Sequence, residues 1–178
     1  MVKLKKELHL NKIKYWIFIG LTIIWMAFIF VNSALSGNTS SGLSESVIGL
    51  MVGILKWFGD GGFILRLRDL IQSEGFHVFI RKAAHFTEFG ILGVLATAGL
   101  GIFEKLRIKY IKRALLAVGF SLFYAISDEI HQLFVEGWAC AVADVIIDTA
   151  GALIFSFVLT YIIIRIDGKK LYSEQEAQ

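Results

Sequence analysis

Hydrophobic positions fall into four long runs and one shorter one. No residue between Lys14 and Glu45 is charged, and residues 15–35 are almost wholly apolar. About 20 apolar residues carry a helix across the hydrocarbon core of a bilayer, so 15–35 is predicted to span it. Basic residues precede this run, and Ala34-Leu35-Ser36 has the form of a cleavage site, as in a signal peptide. The run exceeds the roughly 7–15 residues of a signal core, and an uncleaved anchor is expected. Three further charge-free runs, 89–103, 114–127 and 149–164, hold only 14–16 residues each. They reach spanning length by taking in ionisable neighbours at one end. The predicted spans 83–103, 114–134 and 144–164 thereby draw His85 and Glu88 into the second helix, Asp128, Glu129 and His131 into the third, and Asp144 and Asp148 into the fourth.

The segment 36–82 between the first two spans has a different pattern. Gly37-Asn38-Thr39-Ser40-Ser41-Gly42 reads as a flexible turn. Residues 47–58 form an apolar stretch too short to cross, which fits an interfacial or re-entrant helix. Gly59-Asp60-Gly61-Gly62 breaks it, and 64–71, with Arg66, Arg68 and Asp69, reads as a second short surface helix. The expected fold is all-α: an integral membrane bundle of four transmembrane helices with one or two short outer interfacial helices. A basic N-terminus (1–14), a membrane domain (15–166) and a tail (167–178) follow in order, without an internal repeat.

Composition strengthens this reading. Of 178 residues, 56% are hydrophobic and only 19% charged, with no proline and one cysteine. Mean hydropathy is +0.68. Disordered, collagen-like and disulfide-stapled classes are excluded. A formal charge of +3, unevenly placed, gives no basis for nucleic-acid binding. The distribution of basic residues sets an orientation. Five lysines in 1–14, five basic residues in 104–113 and three in 165–170 fall on one side of a four-span chain, against five in 36–82 on the other. Both termini are therefore expected in the cytoplasm.

With that topology the ionisable residues of three helices fall in the outer third of the bilayer. At about 1.5 Å per residue, His85 and Glu88 lie roughly 3 and 8 Å below the outer end of their helix, Asp128 about 9 Å and Asp148 about 6 Å below theirs. Arg81, His85 and Glu88 share a face, as do Tyr124, Asp128, His131 and Gln132, and as do Asp144, Asp148 and Gly151. A charge at such depth costs about 2.5–3.5 kcal/mol, so these groups must face one another or a wet cavity. One reading is interhelical hydrogen-bonding glue, worth about 0.6 kcal/mol per contact. Two or three Ser, Thr or Asn residues would serve that purpose, and seven ionisable groups on three helices point instead to a functional site. His131 fits either a backbone hydrogen bond or the site. Arg81 and Lys82, at headgroup level, fit either snorkelling anchors or a contact to lipid phosphate. His9 and His77 read as solvated, Cys140 as filler, and the four tryptophans as a belt or lipid-facing packing.

Three blocks then carry a resemblance. Lys82-Ala83-Ala84-His85-Phe86-Thr87-Glu88-Phe89, then Ser127-Asp128-Glu129-Ile130-His131-Gln132-Leu133-Phe134-Val135-Glu136-Gly137, then Asp144-Val145-Ile146-Ile147-Asp148-Thr149-Ala150-Gly151-Ala152 resemble the VanZ-like membrane proteins of bacteria. In that family an Arg commonly follows the Gly of the second block, whereas here Gly137 is followed by Trp138. The resemblance implies a cell-envelope protein associated with resistance to lipoglycopeptide antibiotics of the teicoplanin type. It also implies kinship with membrane-embedded enzymes that exchange or hydrolyse lipid head groups.

Two functions of different class follow. The first is an enzyme acting at the phosphate of a membrane lipid or lipid-linked cell-wall precursor, which needs a base or nucleophile, groups to orient it, and positive charge over the phosphate. His85 would be base or nucleophile, with Glu88, Asp128 or Glu129 as orienting partner. Arg81 and Lys82 would meet the phosphate, and Tyr124, His131 and Gln132 would line the substrate site. Asp144 and Asp148 would position a hydroxyl or bind a divalent cation through oxygen ligands; no other cofactor is indicated. The second function is a non-catalytic protein that holds a lipid head group or a lipophilic antibiotic in the same pocket. A proton-coupled transporter ranks third, because the inner halves of the helices carry no ionisable relay.

Overall fold

The computed structural model describes residues 2–34, 37–102, 109–135 and 141–176, with side chains over 13–34, 45–101, 109–135 and 141–167. Six helices follow in order: α1 (Val2–Ala34), α2 (Gly37–Lys56), α3 (Gly62–Ile71), α4 (Glu74–Ile102), α5 (Tyr110–Gln132) and α6 (Val142–Glu176). There is no strand among the described residues. Four segments are long and apolar enough to cross a membrane: Ile13–Ala34, Glu74–Gly101, Tyr110–Gln132 and Val142–Asp167. They correspond to the four spans that hydropathy predicts, with α2 and α3 as the two short helices between the first and second. The chain is a multi-pass membrane protein. Glu136, Gly137, Trp138 and Cys140, and the basic residues Lys105 and Arg107, lie outside the described residues.

The packing is the reverse of a water-soluble core. Phe123 is 75% exposed, and Ile24 and Ile146 are nearly as open, while Ser33, Thr97, Ser121, Ser156 and Thr160 are buried. Among lipid tails an exposed phenylalanine costs nothing, and helices associate through close backbone approach and polar contacts. The tightest approach joins α4 to α6, as Gly151 leads one to expect. A Cβ on Gly151 would lie 2.1 Å from the Phe86 carbonyl oxygen, and one on Gly93 would lie 2.6 Å from Ser156 Oγ and 2.8 Å from the Ala152 carbonyl oxygen. Only glycine lets the two backbones meet there. Ile29 of α1, Phe89 and Leu92 of α4 and Ala125 of α5 form the central apolar cluster, with Trp25, Met26, Tyr124 and Val145 around it.

Several helices begin earlier than the sequence suggests, α2 and α4 among them. Residues 37–42 are the first turns of α2 rather than a flexible turn. Gly, Ser and Asn lower helix propensity by under about 1 kcal/mol each, and without proline the helix nucleated by 47–56 propagates back through them. Likewise α4 starts at Glu74, ahead of the expected 83, because Ser73 caps it: Phe76 N–H donates to Ser73 Oγ at 3.4 Å. Nothing between 74 and 83 breaks the helix. The break at 59–62 is real, with Gly59 at φ +88° between α2 and α3. Arg68 pairs with Asp60 at 2.8 Å and donates to the Gly59 carbonyl at 3.2 Å, which holds that turn. Ile48, Val52 and Ile71 then pack with Phe76, seating the α2–α3 hairpin on the start of α4.

Candidate functional site

The site is built at the end of the bundle that carries α2 and α3. There α4 leaves the hairpin, α5 ends at Gln132 and α6 begins at Val142, so the charge-bearing ends of all three helices lie together. Helical spacing turns His85 of α4, Asp128 of α5 and Asp148 of α6 toward a common centre. One ring nitrogen of His85 and one carboxylate oxygen from each aspartate all lie within 4.8 Å of one another. Asp128 is 3% exposed and Asp148 2%. Three ionisable groups from three helices thus meet away from lipid, as the cost of exposing them requires.

Around this centre each acid has its own neighbours. Ser33 Oγ donates to Asp128 Oδ2 at 2.8 Å, and Gln132 Nε2 donates to the same oxygen at 3.1 Å. Glu88 Oε2 lies 3.9 Å from His85 Nδ1, close enough for charge interaction and beyond hydrogen-bond length. Its other oxygen accepts from Asn32 Nδ2 at 2.8 Å, and Trp25 Nε1 donates to the Glu88 main-chain carbonyl at 2.8 Å. Lys82 and Asp144 form an ion pair between α4 and α6. Glu129 Oε2 accepts from the Ala141 main-chain N–H at 2.9 Å. A carboxylate at that point satisfies one of the amides left over at the start of α6 and complements the helix dipole.

A narrow cleft opens onto these groups, lined by Arg81, Lys82, His85, Glu129, Gln132, Asp144, Ile147 and Asp148. Of the residues singled out from sequence, it therefore gathers eight directly or through the centre behind it: Arg81, Lys82, His85, Asp128, Glu129, Gln132, Asp144 and Asp148. Glu88 backs His85 from the other side. Two expected lining residues point elsewhere. Tyr124 OH donates to the Met26 carbonyl at 2.6 Å, and the His131 ring stacks on Phe30 with centroids 4.4 Å apart. Both hold α1 against α5 rather than lining the cleft.

Sequence reasoning missed the part played by α1. Asn32 and Ser33 are uncharged and sit at the end of what looks like a plain anchor, yet they donate to Glu88 and Asp128. The available signal was position: two consecutive polar residues at the same depth as the acids of the other three helices. Trp25, read as belt or packing, also makes a specific bond to α4.

No curated protein and no solved structure is significantly similar to the chain. The sequence model of the VanZ/LLP1 family matches residues 18–165, a stretch that runs from α1 through all four crossing helices and includes every group of the site. The chain belongs to the VanZ/LLP1 family.

Proposed function

We propose that this is a cell-envelope protein whose polar site opens to the outer leaflet and acts on the phosphate of a lipid or lipid-linked glycan head group, by transfer or hydrolysis. The observation that carries this reading is the convergence of His85, Asp128 and Asp148 behind a cleft whose rim holds Arg81 and Lys82. Interhelical adhesion does not need buried carboxylates from two helices beside an imidazole. The basic bias of the loops supports an outward orientation for this end. In hydrolysis, water adds to phosphorus as the bond to the leaving oxygen breaks; His85 takes the water proton and returns it to the leaving alcohol. In transfer, an acceptor hydroxyl replaces water. Arg81 and Lys82 meet the phosphate oxygens, and Glu88 steers the His85 ring.

Such a protein would take a membrane lipid or lipid-linked cell-wall precursor as substrate, and remodelling either is a route to lipoglycopeptide resistance of the teicoplanin type. A second reading is favoured by one feature. An apolar groove of about 640 Å³ between α1, α4 and α5, lined by residues such as Phe18, Met26, Leu95 and Phe120, has the chemistry to hold an acyl chain, and binding without catalysis would use it. Reconstituting the protein with phosphate-bearing lipids and following head-group release or exchange separates the two. The catalytic reading expects turnover that His85→Gln abolishes while lipid binding persists; binding with no turnover in the native protein overturns it. Cysteine labelling of intact cells should reach positions 37–46 and not Lys109.

A further inference from the structure

Among the described residues of α4, α5 and α6, the site gathers five carboxylates, Glu88, Asp128, Glu129, Asp144 and Asp148, beside two cationic side chains, Arg81 and Lys82. Lys82 is already engaged by Asp144. Glu88 and Glu129 have donors in Asn32 and the Ala141 amide. Asp128 and Asp148 differ. Among the described residues nothing donates to Asp128 Oδ1 or Asp148 Oδ1, and both atoms are sealed from solvent. A buried carboxylate oxygen without a donor is costly, and here two occur side by side with an imidazole within 4.8 Å.

We infer that His85, Asp128 and Asp148 together bind a divalent cation. A cation supplies the positive partner that both orphaned oxygens lack. The donor set, one imidazole and two carboxylates, suits Mn²⁺ or Zn²⁺ better than the all-oxygen preference of Mg²⁺ and Ca²⁺. Ligand atoms around a cation at about 2.1 Å lie no more than about 4.2 Å apart, so small side-chain rotations close the trio. Three protein ligands leave coordination positions open, the arrangement of catalytic rather than structural sites. Ser33 and Gln132, both bonded to Asp128 Oδ2, fix the carboxylate that would turn its other oxygen to the ion. Such outer partners are the usual support of a metal ligand.

The inference deepens the phosphate reading and rests on it for the substrate alone. A phosphate entering beside five carboxylates is repelled, and a divalent cation at their centre offsets the charge of the paired aspartates and gives the phosphate oxygens a ligand. It also changes the part played by His85, which becomes a ligand rather than the proton acceptor.

The test uses the full-length protein in lipid nanodiscs, stripped with chelator and dialysed against Mn²⁺ or Zn²⁺ without any added substrate. One equivalent per chain is expected by elemental analysis, with bound Mn²⁺ visible in its electron paramagnetic resonance spectrum. Asp148→Asn, nearly isosteric, should lose at least about tenfold in affinity, the loss that disturbing a ligand's support alone produces. His85→Gln should do the same, and His77→Gln should bind as the native chain does. Saturating metal should raise the unfolding temperature of the native protein and leave Asp148→Asn unmoved. Sub-stoichiometric binding by the native protein overturns the inference, and so does equal binding by Asp148→Asn; the paired aspartates then share a proton instead. Because no lipid enters this measurement, metal binding without lipid turnover rejects the phosphate reading alone, and turnover in chelated protein rejects the cation alone.

Discussion

Around Asp128 and Asp148 the four crossing helices touch: α4 meets α6 backbone to backbone at Gly151, and α1 reaches in with Asn32 and Ser33. Toward the other end α1 stands off from α4 and α5, leaving the groove lined by Phe18, Met26, Leu95 and Phe120. Hydrogen bonds from Trp25, Asn32 and Ser33 and into the Met26 carbonyl tie the last ten residues of α1 to α4 and α5. In lipid, apolar side chains gain little by leaving hydrocarbon for one another. Helices therefore close where polar groups or small residues draw them together, and part where only apolar side chains face each other. The same four helices thus make a sealed polar centre at one end and an open apolar groove at the other. The buried ionisable groups gather at the first end. The groove at the second is lined almost wholly by apolar side chains, with Tyr15 and Thr22 as its polar members.

The comparison breaks most readily at Gly151. A leucine there would drive its Cβ into the Phe86 carbonyl, where even a methyl would sit at 2.1 Å. Neither partner is a flexible side-chain tip, so α4 and α6 must separate. Gly151→Leu is expected to cost about 3 kcal/mol or more, the upper end of overpacking penalties, and to abolish metal and lipid binding together. Denaturant unfolding in detergent, followed by circular dichroism, measures it. Native-like stability would mean that the polar end does not depend on that backbone contact.

Removing the donor that α1 gives to Asp128 sharpens the comparison. Ser33→Ala leaves Asp128 Oδ2 with Gln132 alone. Hydrogen bonds to charged groups contribute about 1.5–3 kcal/mol, and polar contacts within membranes average about 0.6 kcal/mol, so a loss near 1.5 kcal/mol is expected. Amide exchange should rise in residues 25–34 and stay unchanged in α6. A uniform rise along the bundle would place the effect in global stability rather than in the docking of α1.

Which of these features could be read from the sequence follows from their physical cost. Charges at the ends of short apolar runs are expensive in lipid, so the convergence of His85, Asp128 and Asp148 is legible in the sequence. Gly151 announced itself by standing one turn below Asp148. Neutral Asn32 and Ser33 are cheap to bury and left little trace, which is how a helix read as an anchor contributes to the site. Partner choice was also out of reach: that Lys82 takes Asp144, and that Glu129 takes the Ala141 amide, depends on how the helices rotate against each other. Tyr124 and His131 share a helical face with Asp128, but a face wider than the cleft turns them onto α1. The start of α4 at Glu74 was legible in Ser73 as a cap, a signal overshadowed by the charges that follow it.

Tyr124 gives a smaller test at the middle of the bundle. Its hydroxyl donates to the Met26 carbonyl, and its ring flanks the cluster of Ile29, Phe89, Leu92 and Ala125. Tyr124→Phe keeps the ring and loses the bond. The Met26 carbonyl still accepts within its own helix, so the cost should be about 0.6 kcal/mol, the average for membrane contacts, with head-group binding retained. Loss of binding without loss of stability would return Tyr124 to the substrate site.

The smallest effect is expected at Gly99, in the wall of the groove. A Cβ there would lie 3.6 Å from Phe18 Cβ, an ordinary contact, so alanine fits without moving α1. Alanine also raises helix propensity by about 0.8–1.0 kcal/mol over glycine in water, an advantage that shrinks where glycine is already held in a lipid-embedded helix. Gly99→Ala should therefore change stability by no more than about 0.5 kcal/mol, in the stabilising direction, while metal affinity stays at the native value. That outcome is what a loosely filled groove requires: α1 is held by its polar end, and the facing residues below add little. Should Gly99→Ala destabilise the protein as much as Ser33→Ala does, α1 would be clamped along its whole length. The contrast between a sealed end and an open one would then fail at the point where it is easiest to measure.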